Sequence, residues 1–237
     1  VIRLIDTFTA TCRGDTQLVI GLDSDDPTVG EDWKLEFPHV EFVVESDLRF
    51  VVAWINHLAV PRAGQYRFIG TIGDDNVPRT VGWDVKVCES LERNVFCFGD
   101  DLYPGRATGT LCCHVFMRSE VIRALGYMGP PSIEHMYVDP TWMAWGQATS
   151  IEFLPDVILE HMHFSCQKSE MDATYAASDA LVPADCNRYN AYCSDPNGLQ
   201  ADIAKIKGAT PSPEEIAQFN FDLNIPERWG DTPPWSR

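Results

Sequence analysis

Between residues 1 and 163 the apolar positions follow two spacings in alternation. Short apolar runs at Gln17–Leu22, Val40–Val44, Tyr66–Ile72, Val95–Phe98 and Leu111–Met117 have the length and the β-branched or aromatic content of buried strands. Helical spacing falls between them. Residues 1–11 read as an amphipathic helix, followed by a turn at Gly14-Asp15. Phe50–Leu58 places Val51, Trp54, Ile55 and Leu58 on one face. A helix over Trp83–Leu91 follows Gly82, and one over Glu120–Leu125 has Ser119 as its cap and Gly126 as its stop. Thr141–Trp145 is a further helical segment. Ile151–Leu154 and Val157–Leu159 read as two short strands either side of Pro155. Residues 28–39 show no regular pattern. Strands alternating with helices predict an α/β fold with a mixed, mostly parallel sheet.

The pattern changes after this. Residues 170–210 are polar and partly helical, and residues 211–237 are proline-rich. The expected organisation is an α/β domain over residues 1–169 with an extension over 170–237.

Charge narrows the function classes. The 237 residues carry 18 Lys and Arg against 35 Asp and Glu, a formal net charge of -17. Such a surface repels nucleic-acid phosphate at long range and does not suit an anionic membrane surface. It still admits a small anionic substrate, because a bound cation can invert the local sign. No apolar run is long enough to span a bilayer and no signal-peptide pattern is present, which points to a cytoplasmic setting. The cysteines, Cys12, Cys88, Cys97, Cys112, Cys113, Cys166, Cys186 and Cys193, include no Cys-x-x-Cys pair, so reduced thiols are expected rather than a zinc site. A disulfide between Cys186 and Cys193 is the alternative.

Acidic groups concentrate where apolar runs stop: Asp23, Asp25 and Asp26; Asp74 and Asp75; Asp100 and Asp101. In open α/β sheets ligands bind beyond the carboxyl ends of strands. Carboxylates gathered there repel one another unless a cation or hydrogen-bond donors satisfy them, and a divalent cation bridging phosphates suits hard oxygen ligands. Any one pair is about as readily explained as solvated loop residues or helix caps. Glu160-His161-Met162-His163 follows an apolar run and sets His161 and His163 on one face of a strand, where they suit a metal or a phosphate. Trp142 and Trp145 fit core packing or a platform for a sugar ring. Asp139, before Pro140, could simply cap a helix.

Taken in order, the segments Leu22–Pro27, Tyr66–Asp84, Phe98–Leu102, Leu125–Asp139 and Leu159–His163 resemble the GT-A glycosyltransferases of the family 2 kind, in a bacterial and phage-like branch. The resemblance implies a GT-A type, Rossmann-like sheet flanked by helices. It also implies transfer of a sugar from a nucleoside diphosphate sugar, UDP favoured over GDP, to an acceptor hydroxyl on a glycan, a small molecule or a modified nucleic acid. By this likeness Mn²⁺ or Mg²⁺ sits on Asp75 with His161 or His163. Asp23, Asp25, Asp74, Arg79, Asp100 and Asp101 hold the donor, Asp139 deprotonates the acceptor, and Trp142 and Trp145 touch a sugar or acceptor. Asn76 stands where a strict Asp-x-Asp has its second Asp, and Val138 where the family has Glu before its base. The family's opening strand would lie before Val1, so the numbered chain is expected to start inside a domain and to leave an open place in the sheet. The rival readings are a sugar nucleotidyltransferase, whose Gly-rich loop and basic triphosphate residue are not seen here, and a non-catalytic sugar-binding or scaffold protein that keeps the fold.

Overall fold

A computed structural model describes residues 1–26, 36–48, 50–171 and 173–210 of the chain. The irregular reading of 28–35, the turn at Pro27 and the proline-rich segment 211–237 lie outside the described residues. The elements in order are α1 (Ile2–Thr11), β1 (Leu18–Asp23), β2 (Val40–Glu45), α2 (Val51–Ala59), β3 (Phe68–Gly70), β4 (Asn76–Pro78), α3 (Trp83–Arg93), β5 (Phe96–Asp100), β6 (Phe116–Arg118), α4 (Ser119–Leu125), α5 (Val138–Ala148), β7 (Ile151–His161), α6 (Ala173–Ser194) and α7 (Leu199–Ala209).

The strands do not form the single, mostly parallel GT-A sheet that the alternation predicts. They form two sheets. One is the parallel pair β1–β2; the other is five-stranded, in the order β3-β6-β5-β7-β4. In the larger sheet only β5 and β7 run parallel, while β3–β6, β5–β6 and β4–β7 are antiparallel. Two misread segments account for the difference. Pro155 does not divide two strands: Ile151–His161 is one long strand, whose first half pairs with β5 and whose last residues, Leu159 to His161, pair with β4. The three-residue β4 carries no periodicity of its own, so its antiparallel return leaves no trace in the apolar pattern.

Both sheets share one hydrophobic layer. Leu18, Ile20, Leu22 and Val40 of the small sheet cluster with Cys97, Phe116, Val157 and Leu159 of the large one, under Ile5 and Phe8 of α1 and Trp83, Val87 and Leu91 of α3. A second cluster lies on the other side, where Phe96, Phe98 and Met117 meet Val52, Val121, Ile122, Trp142, Trp145, Ile203 and Ile206. In α2 the buried residues are Val52 and Ala59, with Ile55 packed beside them, while Val51 is exposed. Trp54, read as part of the core face, lies against Gly21 of β1 and donates from its indole to Asp23.

Gly126 ends α4 in the left-handed region, at φ 83°, where glycine is strongly favoured. Ser119 does not cap that helix. It is the first helical residue, its backbone N–H goes to the Arg67 carbonyl, and its buried hydroxyl has no partner among the described residues.

The α1–β1 connection is held by a buried carboxylate. Asp84, in the first turn of α3 and 2% exposed, accepts from Arg13 N (3.0 Å), Gly14 N (2.6 Å) and the Thr16 hydroxyl (3.0 Å). Removing it orphans three donors at once, and hydrogen bonds to a charged group are each worth roughly 1.5–3 kcal/mol. Asp84→Ala is expected to lose about 3 kcal/mol or more in urea unfolding, and Asp84→Asn, which keeps an acceptor oxygen, clearly less.

Candidate functional site

Beyond the end of β5, where β7 runs on alongside, a set of polar groups converges. β5 delivers Asp100 and Asp101, β7 delivers His161, and the turn into β4 delivers Asp75. Asp101, 7% exposed, accepts from Tyr103 N (3.1 Å) and forms an ion pair with Arg106. The Arg106 guanidinium also meets Cys113 Sγ at 3.1 Å and stacks over the Tyr103 ring at 4.8 Å. The carboxyl of Asp139, in the first turn of α5, acts electrostatically on Cys113 and Arg106. On the other side, the Asp101 carbonyl accepts from His161 N (3.0 Å), and the His161 ring pairs through Nε2 with Asp75 Oδ2 (3.0 Å). Asp75 also accepts from the Tyr175 hydroxyl (2.9 Å), and its carbonyl accepts from Met162 N (2.9 Å). A polar chain therefore runs Cys113–Arg106–Asp101–His161–Asp75–Tyr175, with the Asp139 carboxyl close enough to its Cys113 end to act on it electrostatically. Aromatic rings flank it: His163 packs against Phe164 (4.4 Å), Tyr175 (4.7 Å) and His161 (5.0 Å).

The surroundings push these groups apart in acidity. Burial raises the Asp139 carboxyl to about 6, against the pull of Cys113, Arg106 and His161 towards lower values. Burial also works against the charged form of His161, but the Asp75 carboxylate outweighs it and the imidazole ends above its ordinary value. Burial would raise Asp75, yet His161 and Tyr175 hold it below the usual carboxylate range. His163 is lowered, by burial and then by the charge of His161. The Cys113 thiol is pushed far up, first by burial and then by Asp139, so it stays protonated and is no nucleophile.

A raised Asp139 makes stability depend on pH. Its folded-state value lies above the unfolded one, so its favourable contribution is complete below about pH 4 and fades as pH rises through about 6. Relative to Asp139→Asn, the wild type is expected to lose stability between pH 4 and pH 7, by no more than about 3 kcal/mol. Urea unfolding of both proteins across that range checks the sign: a difference that stays flat refutes the raised value.

The remaining sequence-derived positions are dispersed. Asp23 and Asp25 are exposed at the end of β1, in the other sheet, where Asp23 binds the Trp54 indole. Asp74 is exposed, and Asp100 accepts from Leu102 N (2.9 Å) as a turn residue. Arg79 is paired with Glu160 (2.6 Å), which also binds Lys168 (2.8 Å). Trp142 and Trp145 are core residues, 1% and 0% exposed, and present no face to a ligand. Sequence reasoning missed Arg106, Cys113 and Tyr175. Arg106 had one available signal, a cation five residues after an acidic pair in a strongly acidic chain; a lone Cys and a lone Tyr carry none.

The metal expectation does not hold. Among the described residues no group of three or more His, Cys, Asp or Glu side chains is arranged to hold a cation. The physical reason is visible at Asp75, whose carboxylate oxygen is already taken up by His161 and Tyr175. All eight cysteines are free, and Cys186 and Cys193 lie two turns apart along α6, beyond disulfide reach. Among the described residues no helix is long and apolar enough to cross a membrane.

The chain matches no protein-family model, no curated protein and no solved structure. With a split, largely antiparallel sheet and no Mn²⁺- or Mg²⁺-type ligand cluster among the described residues, the GT-A resemblance is overturned. The glycosyltransferase activity and the nucleotidyltransferase alternative drawn from it, and a sugar-binding scaffold on that fold, go with it.

Proposed function

We propose that the cluster at the ends of β5 and β7 is a general acid–base site acting on a small hydroxyl-bearing molecule, with Asp139 and His161 exchanging the protons. The observation that carries this reading is the chain from Cys113 through Arg106 and Asp101 to His161 and Asp75, with the Asp139 carboxyl acting electrostatically on Arg106, Cys113 and His161. Its members come from four separate elements, so the fold spends several strand and helix ends on one place. A carboxyl raised to about 6 beside an imidazole raised above its ordinary value provides the separation that acid–base work needs. Above about pH 6 Asp139 is an ionised base while His161, paired with Asp75, remains an acid. Tyr175 and Asp75 orient His161, Arg106 steadies the Asp139 side, and the rings of Tyr103, His163 and Phe164 offer apolar faces beside polar groups. A cytoplasmic setting suits eight free thiols.

The test is a ligand-observed NMR screen of polyols, hydroxy acids and free sugars, followed by rate measurements on the hits from pH 4 to 9. The expected result is turnover with a bell-shaped profile, whose acidic limb disappears in Asp139→Asn and whose basic limb disappears in His161→Gln. Each variant should lose 10²-fold or more in rate. No binding, or turnover whose profile neither variant alters, overturns the reading.

A further inference from the structure

β5 and β7 run in parallel register from Phe96 opposite Ile151 to Gly99 opposite Leu154, and there the register breaks. The next pair is Asp100 with Ile158, so Pro155, Asp156 and Val157 bulge out of β7 against a single peptide of β5. Gly99 faces the bulge so closely that a Cβ there would lie 2.3 Å from the Val157 carbonyl oxygen. At this break the Gly99 N–H donates to a side chain, Nε2 of His114, at 3.2 Å. Immediately beyond, Asp101 takes up both Arg106 and the His161 backbone N–H.

His114 is an expensive residue for this place. It is 1% exposed, and because Nε2 accepts a hydrogen bond the proton must sit on Nδ1, which has no partner among the described residues. A buried unsatisfied N–H is destabilising, and an apolar side chain of similar volume would avoid it. The one thing an apolar side chain could not do is accept from Gly99. Asp101, His161 and Arg106 all act electrostatically on the ring, so it sits close under the site. Burial lowers its proton affinity to about 4, which keeps the acceptor nitrogen free at ordinary pH.

We propose that His114 is a positioning residue: by accepting the Gly99 N–H at the β5–β7 bulge it fixes the carboxyl end of β5 and so the placement of Asp101 against Arg106 and His161. The role rests on the acid–base reading of that site, but it makes its own physical claim about the ligand-free protein. A nitrogen–nitrogen hydrogen bond transmits a scalar coupling between its two ¹⁵N nuclei. The ¹⁵N-labelled wild type is expected to show this coupling between Gly99 N and His114 Nε2 at pH 7 and to lose it as the ring is protonated near pH 4. In His114→Leu, amide exchange at Gly99 and His161 should accelerate at least tenfold while core amides such as Leu91 and Ile206 keep their protection. His114→Gln, which restores an acceptor oxygen, should recover most of the loss. Absence of the coupling in the wild type overturns the proposal even if His114→Leu does not fold. Uniform loss of protection across the core, or no rescue by Gln, also overturns it and makes His114 a packing residue. If the coupling and the rescue are found but no substrate is turned over, the acid–base reading fails and the positioning role stands.

Discussion

Trp145→Ala is expected to lose roughly 3–5 kcal/mol of stability, the range for deleting a large buried aromatic. Trp145 is 0% exposed at the centre of the cluster that joins α4, α5 and α7 to the large sheet, with the Tyr127 ring at 6.4 Å. Its indole N–H donates to the Tyr192 hydroxyl at 3.1 Å, so truncation opens a cavity and also removes a donor from a buried polar network. Against a total stability of about 5–15 kcal/mol for a domain, a loss of this size is a large fraction of the whole. Trp142→Ala should behave similarly, since Trp142 is 1% exposed and donates to the Met128 carbonyl at 2.8 Å. Urea unfolding followed by tryptophan fluorescence and circular dichroism measures both. A variant with wild-type stability and altered ligand binding would restore the ligand-platform role that burial denies these residues.

These two tryptophans show where the sequence was readable and where it was not. Their spacing marks one helix face, and Val138–Ala148 is indeed a helix, longer than the segment read from Thr141 to Trp145. Whether such a face meets a ligand or a core depends on what packs over it. Here that is Ile203, Ile206 and Tyr192 from helices remote in sequence. Strand positions were legible for the same reason: Leu18–Asp23, Val40–Glu45 and Phe96–Asp100 are apolar runs long enough to stand out. Strand direction was not. Direction is set by connections and by short partners such as β4, and an apolar run pairs equally well either way.

The site was half legible for a related reason. Asp75, Asp101 and His161 stood out as titratable groups at the ends of elements, and the structure links them in one chain, whereas Asp139, which read equally well as a helix cap, lies beside it. What the pattern could not reveal was how they are satisfied. Carboxylates near one another invite a cation, but Arg106, His161 and Tyr175 supply donors instead, and these come from a loop, a strand end and a helix well separated in sequence. Asp23 and Asp25 look the same in sequence as Asp100 and Asp101, yet they lie at the end of the other sheet.

The same substitution of donors for solvent explains why Asp202→Ala should also be among the most damaging changes. Asp202, in the first turn of α7, is fully buried. One carboxylate oxygen accepts from both the Tyr127 hydroxyl (2.5 Å) and the Tyr192 hydroxyl (2.6 Å), and the other lies 3.3 Å from Lys205 Nζ. Tyr192 receives the Trp145 indole in turn, so Asp202 ends a relay that ties α7 to α6, α5 and the turn after α4. Breaking a buried charged network by removing one member costs about 3–5 kcal/mol, because the orphaned groups cannot reach water. Because the groups share partners, the losses will not add: Asp202→Ala combined with Tyr192→Phe should cost less than the two changes summed, by 0.5 kcal/mol or more. The tyrosines provide a second readout. Burial and then the Asp202 carboxylate push both hydroxyls well above the ordinary tyrosine value, so neither should ionise in the folded protein up to about pH 11. In Asp202→Asn the negative charge is gone, and ultraviolet titration should bring Tyr127, the less buried of the two, back towards its ordinary range. Strictly additive losses, together with an unchanged titration in Asp202→Asn, would show that the carboxylate and the tyrosines do not act as one network.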